Sequence, residues 1–277
     1  MCTVFHFEDD LGRFTMRDPP LRRALVDLQY PLSPRLVGNE GLTELQELLR
    51  PDFPLMRAVG APSFTISFGS APASSSFTER YQFESQSGFD LIVGTSNATL
   101  SLAGQAYGER ARLAALLERV ATAVGAVGRI TQCLRIGVRY INSAPATTSD
   151  WATWFKAPFV GWTETTTIVD QRVNRVHMSI TQLSLPDSDI VTAATIRHGY
   201  LPEGIGQDLG GDAKEPAFLV DIDMASDVPT AFDAVDLVAL FLRINGEIAR
   251  YFRYTFTAAG EERFGLEARK EEGNAIS

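Results

Sequence analysis

Arg135 and Arg139 flank Gly137 at alternate positions of one stretch, Arg-Ile-Gly-Val-Arg, and Asp221 and Asp223 flank Ile222 in another, Asp-Ile-Asp. Residues two apart on a strand share a face, so each pair sends its charges to one side. Two guanidiniums with no side chain between them suit an anionic or planar ligand gripped through forked hydrogen bonds, and the carboxylates suit an orienting role. Asp27 beside Gln29, and His177 beside Ser179, add polar positions to two further alternating stretches. If these strands join one sheet, Asp27, Arg135, Arg139, His177, Asp221 and Asp223 collect as one ligand-binding surface. The competing reading is a ladder of Arg and Asp on a solvated sheet face, contributing about 0 to 1 kcal/mol per exposed pair.

Asp221 and Asp223 also have the D-x-D spacing that chelates a hard cation such as Mg²⁺ in phosphoryl or nucleotidyl transfer. Such enzymes need more than two carboxylates. The sequence has no Gly-x-x-x-x-Gly-Lys-Ser/Thr loop, no His-x-x-x-His and no paired-cysteine motif, so no metal, no cofactor and no catalytic residue is expected. Cys133 and His177 are the residue types of a nucleophile and its base, but an inert thiol and a hydrogen-bonded histidine explain them more simply. The run Gly204 to Gly211 has the composition of a phosphate loop yet precedes a strand, and it reads as a surface loop. Trp151, Trp154 and Trp162, with Phe155 and Phe159, crowd one connection. They are either anchors for a protein partner or a cluster covering one end of a sheet.

The elements that must position these residues follow from periodicity. Ala24, Val26, Leu28 and Tyr30 alternate with other residues after Asp18-Pro19-Pro20, giving a half-buried strand over 21–31. Leucines at 42, 45, 48 and 49 mark a short helix ended by Pro51, and a loop is expected from there to about 76. Residues 80–86 and 89–93 around Ser87-Gly88 form a hairpin, continued by a strand over 98–102. A long amphipathic helix spans 109–124, a strand 129–142, strands 164–169, 175–185 and 190–198, a loop 202–216, and a strand 217–224. The last helix, about 230–254, is apolar nearly all round from Phe232 to Leu242 and is expected to be buried. Strands grouped before helices predict an α+β fold with antiparallel sheet and two long helices. It is read as a single domain over 1–277, with two pseudo-repeated halves, 14–143 and 160–265, as the alternative.

Composition sets outer bounds. Of 277 residues 45% are hydrophobic and 21% charged, as in a globular protein with a large core. The net charge of −9 works against non-specific binding to nucleic acid. The longest apolar run, Leu237 to Leu242, is far short of a membrane span, and the acidic start is neither a signal nor a transit peptide, so a cytoplasmic location is expected. Two cysteines, Cys2 and Cys133, give no disulfide framework.

Four motifs occur in one order: Asp18-Pro19-Pro20 before an alternating strand, Phe83-x-Ser85 in a hairpin, Arg139-Tyr140-Ile141-Asn142 after a long helix, and Val220-Asp221-Ile222-Asp223 before the final helix. Over about residues 14–265 the chain resembles a sporadically distributed family of uncharacterised prokaryotic proteins with an Asn-Pro-Pro-like start, a Phe-x-Ser hairpin and an Arg-Tyr-Ile-Asn signature. Asp18 stands where that family commonly has Asn. The resemblance carries over no activity, cofactor or catalytic residue, and its scattered occurrence implies mobile accessory genes such as defence or toxin-neutralising systems. The expectation is therefore a non-enzymatic recognition protein taking a protein partner or an anionic small ligand. The alternatives are a metal-dependent enzyme on a phosphorylated substrate and a structural subunit of a larger assembly.

Overall fold

Pro19 and Pro20 withhold two amide donors and hold the backbone extended, and the chain runs from them directly into its first long strand. The structure, a computed structural model, describes residues 14–63, 76–108, 110–145, 148–160, 177–185, 188–201 and 216–268. In chain order, β1 (Phe14–Met16) precedes β2 (Leu21–Gln29), and a 3-10 turn (Pro34–Val37) and helix α1 (Asn39–Leu49) lead to β3 (Leu55–Ser63). Next come β4 (Ser76–Glu84), β5 (Phe89–Val93), β6 (Asn97–Ala103), α2 (Gly104–Tyr107) and α3 (Arg110–Gly128). β7 (Gln132–Cys133) and β8 (Arg135–Pro145) are followed by the short helices α4 (Thr148–Trp154) and α5 (Ala157–Val160). β9 (His177–Ser184), β10 (Ala193–Leu201), β11 (Ala217–Ser226) and β12 (Thr230–Ala231) precede α6 (Ala234–Tyr254), α7 (Ala258–Phe264) and β13 (Leu266–Ala268).

The fold is α+β, built on a large antiparallel sheet with strand order β3-β4-β5-β6-β2-β8-β11-β10-β9. The chain divides into two compact units, and the division runs through β2, β8, β11 and α6. Neither unit is therefore a continuous half of the sequence.

The hairpin unit comprises Ala24–Val138 and Ser226–Leu242. Its strands β4, β5 and β6 form a meander in which Phe83, Leu91 and Leu100 stand opposite one another in register, all buried. The turn from β4 to β5 needs Gly88, whose φ of +83° lies where a side chain is disfavoured. Ala24, Val26 and Leu28 bury the inward face of β2, as their alternation requires. Helix α3 buries Leu113, Leu116, Leu117, Val120 and Val124, one stripe of a 3.6-residue period.

The tryptophan unit comprises Met1–Arg23, Arg139–Ala225 and Arg243–Ser277. Strands β9, β10 and β11 pair antiparallel, with Ile196 opposite Ile222 and both buried. Trp151, Phe155, Phe218, Phe256 and Phe264 fill its core. Helix α7 starts at Thr257, whose side chain accepts a hydrogen bond from the Gly260 amide, and stops at Gly265 in the left-handed conformation. β1 and β13 pair as a two-stranded ribbon.

Several elements differ from the reading of the sequence. Residues 55–63, expected as loop, are β3, which nine partners on β4 hold in register; that pairing is a tertiary effect which local alternation does not encode. The last long helix is amphipathic rather than apolar all round: Leu237 and Phe241 are buried, while Val235 is 69% exposed. Ile180 on β9 is likewise exposed. The aromatic connection contains α4 and α5, and α7 follows α6 after a short break. The expected strand over 164–169 and the Gly204 to Gly211 loop lie outside the described residues. Among the described residues no helix is long and apolar enough to cross a membrane.

Candidate functional site

In the tryptophan unit, Asp221 stands on β11 directly opposite Arg197 of β10. Its carboxylate accepts two hydrogen bonds from Arg139 of β8, from Nε at 2.8 Å and Nη2 at 2.7 Å, and a third from Arg197 Nη1 at 3.1 Å. Asp221 has no exposed surface, whereas both arginine side chains keep about a third of theirs. The hydrogen bond to Asp221, with the negative charges of Asp221 and Asp223 nearby, raises the Arg139 pKa further above its ordinary value, against the opposing effect of burial. A buried carboxylate so engaged is a latch between strands. Its oxygens face guanidiniums, so it offers no ligand to a cation.

The rest of the signature follows the same pattern. Tyr140 accepts a hydrogen bond from Asn245 of α6 at 2.7 Å, and Asn142 donates to the Val220 carbonyl at 3.2 Å. Asp18 pairs with Arg263, and the Pro20 carbonyl accepts from the Ser143 amide. In the hairpin unit Phe83 is buried, and Ser85 accepts the Ser87 amide to close the turn. The four motifs singled out in the sequence are joints of the fold.

Also in the hairpin unit, Asp27 accepts from Thr99 Oγ1 at 2.6 Å, Asn97 Nδ2 at 3.4 Å and Gln29 Nε2 at 3.3 Å. Arg135 reaches Asp227 at 3.2 Å and Asp27 at 3.9 Å, and its guanidinium folds over Gly137, where a β-carbon would meet Nη1 at 2.7 Å. So Arg135 and Asp27 are joined in one unit, while Arg139, Asp221 and Asp223 belong to the other. His177 opens β9 opposite Tyr200. Cys133 is buried and donates to the Arg135 carbonyl, and desolvation is the main reason its thiol is pushed up to about 11, which leaves it un-ionised and unreactive at neutral pH. Among the described residues no group of three His, Cys, Asp or Glu side chains is placed to hold a metal ion.

Beside Asp27 lies a groove of about 420 Å³ lined by Gln29, Tyr30, Arg80, Ser96, Asn97 and Leu134. Ser96 and Asn97 come from the turn between β5 and β6, where the Gly94 amide bonds the Asn97 carbonyl at 2.8 Å. The exit of β2 fixes that turn: the Tyr30 hydroxyl donates to the Gly94 carbonyl at 3.0 Å, and the Tyr30 amide to the Ser96 carbonyl at 3.0 Å. Burial, chiefly, raises the Tyr30 pKa far above the ordinary value, so this hydroxyl stays a donor. Arg80 enters from β4, and its side chain passes over Gly94, 3.7 Å from Nε to the position a β-carbon would take. Arg80 Nε is buried and has no hydrogen-bond partner among the described residues. A buried donor without a partner costs about 1–3 kcal/mol and calls for an explanation.

A second groove of about 340 Å³, between Pro51–Pro54, the Ser85–Ser87 turn and α3, differs in its cations. There Arg119 is forked onto Asp52 at 2.7 and 2.9 Å, and Arg112 lies over the Phe89 ring at 4.4 Å.

The aromatic connection serves the core. Trp151 is fully buried against Phe155, Tyr200 and Phe218, so it presents no anchor to a partner. Trp154 is half-buried, with Phe264 at its edge and the Arg263 guanidinium 5.3 Å above its ring. Trp162 lies outside the described residues. For the two placed tryptophans the cluster covering the sheet is the reading the packing supports.

Arg80 escaped the sequence analysis because its neighbours Arg57, Gln82 and Glu84 give its strand an ordinary charged outer face. Only the missing partner marks it, and that is visible in three dimensions alone. Set against known proteins, the chain matches no family model and no curated protein sequence.

Proposed function

We propose that the protein is a non-enzymatic recognition protein whose groove beside Asp27 takes a small ligand bearing an anionic group. The observation that carries this reading is the unpartnered, buried Nε of Arg80, a residue lining an open groove of a size that suits small molecules. Arg135 and Arg119 of the same unit are each matched to a carboxylate, and Arg80 differs from them in this respect. An anion there supplies the missing acceptor through a charge-assisted hydrogen bond. The engagement of Asp221 by two arginines favours recognition over metal-dependent catalysis at that pair. The resemblance to a sporadically distributed prokaryotic family supports a setting in defence or toxin control.

The test is thermal melting at fixed ionic strength in a panel of small carboxylates and inorganic phosphate, for wild type and Arg80→Met. At least one anion is expected to raise the wild-type Tm and to leave the variant unmoved. Free of ligand, Arg80→Met is expected to melt at or above wild type, since it removes a desolvated donor and keeps an apolar stem. Equal responses of the two proteins to every anion overturn the reading.

A further inference from the structure

Resting on that reading, we propose that the occupant is a small zwitterion of the amino-acid class, with its carboxylate on Arg80 and its ammonium on the side-chain oxygen of Asn97. Asp27 carries only acceptors, so the carboxamides that bond it must turn their NH₂ groups toward it. Asn97 and Gln29 both do so, at 3.4 and 3.3 Å, and both also line the groove. Their oxygens are thereby left for an occupant, and the anionic Asp27 behind them polarises each amide toward binding positive charge.

The donor and acceptor sides meet at Gly94. Asn97 Oδ1 lies 3.1 Å and Arg80 Nε 3.7 Å from the point where a β-carbon on Gly94 would stand. The cationic donor and the polarised carbonyl oxygen are therefore no farther apart than about 7 Å. A carboxylate and an ammonium attached to one carbon match that spacing. Leu134, 39% exposed on the same wall, offers an apolar surface for a side chain. A phosphate dianion fits less well, because it would meet one guanidinium while the carboxylate of Asp27 stands a single amide away.

The experiment is calorimetric titration of the full chain with three compounds that share one branched tail: L-leucine, 4-methylpentanoate, which lacks the ammonium, and isopentylamine, which lacks the carboxylate. Leucine is expected to bind at least tenfold more tightly than either. In Asn97→Leu that preference over 4-methylpentanoate is expected to collapse to about equal binding. Equal affinity of leucine and 4-methylpentanoate for wild type overturns the zwitterion and leaves the anion reading standing. Tightest binding of isopentylamine overturns both. No binding of any of the three overturns the zwitterion, and the anion reading is then decided by the melting panel. The ligand series needs no variant, so misfolding of Asn97→Leu does not blur the result.

Discussion

Asp221 accepts hydrogen bonds from two arginines while none of its own surface meets solvent. Removing the carboxylate leaves two guanidiniums facing a desolvated gap, the circumstance in which breaking a buried pair costs about 3–5 kcal/mol. Because both arginines keep roughly a third of their surface in water, the lower end of that range, about 3 kcal/mol, is expected for Asp221→Ala. Urea denaturation checks it, and a loss under about 0.5 kcal/mol would show the latch to be idle. Arg80 makes the opposite case at the same scale. The sequence points to Asp221 and Arg139 because charge at alternate positions of apolar strands is conspicuous. It passes over Arg80, whose distinction is a contact it does not make. Conspicuous charge here marks fold joints, and the unmatched group is the one the sequence leaves unmarked.

Among the elements, α7 shows how tightly one short helix can be seated. A β-carbon on Gly260 would run into the Trp154 carbonyl, which already accepts the Thr257 amide at 3.0 Å. Gly260→Ala is therefore expected to destabilise by about 1–3 kcal/mol, as overpacking does. Gly246, within α6, has nothing within 4 Å of the point a β-carbon would occupy, so Gly246→Ala is expected to stabilise by about 0.5–1 kcal/mol through helix propensity and a less flexible unfolded chain. Paired urea curves separate the two, and equal effects would mean that packing at α7 is not what fixes Gly260. Legibility follows the same physics. β2, α3 and β10 could be read because their apolar positions repeat at two or 3.6 residues with one face buried, and β11 because Phe218, Val220, Ile222 and Met224 alternate, although both its faces are buried. β3, α7 and the β1–β13 ribbon could not, since each is completed by partners distant in sequence: β4 for β3, the Trp154 carbonyl for α7, and for the ribbon two strands at opposite ends of the chain. For the same reason the groove was only half legible, through Asp27 and not through the turn at Gly94.

At the scale of the whole chain, the two units share four elements, since β2, β8, β11 and α6 each give residues to both. Neither unit can lose its part of these without shortening an element of the other, which predicts one cooperative transition. The sequence supplies separate reporters. The described tryptophans, Trp151 and Trp154, lie in one unit, and Cys133 lies in the other. High pH supplies the perturbation. Burial, chiefly, pushes the Cys133 thiol from an ordinary value near 9 up to about 11, and the Tyr251 phenol from near 10 up to about 12. In both cases the fold favours the protonated, neutral form. Above the unfolded values the unfolded chain binds fewer protons than the native one, so stability falls as pH rises. These contributions are whole below about pH 9, decline from there, and are gone once the pH passes the folded values near 11 and 12. In a Cys2→Ser background, urea midpoints followed by tryptophan fluorescence and by thiol labelling of Cys133 are expected to coincide at pH 8 and to move down together from pH 9 to 11. Thiol labelling that precedes the fluorescence change would show the unit around Cys133 opening by itself, and a midpoint unchanged up to pH 11 would mean that Cys133 ionises as freely in the native protein as in the unfolded chain.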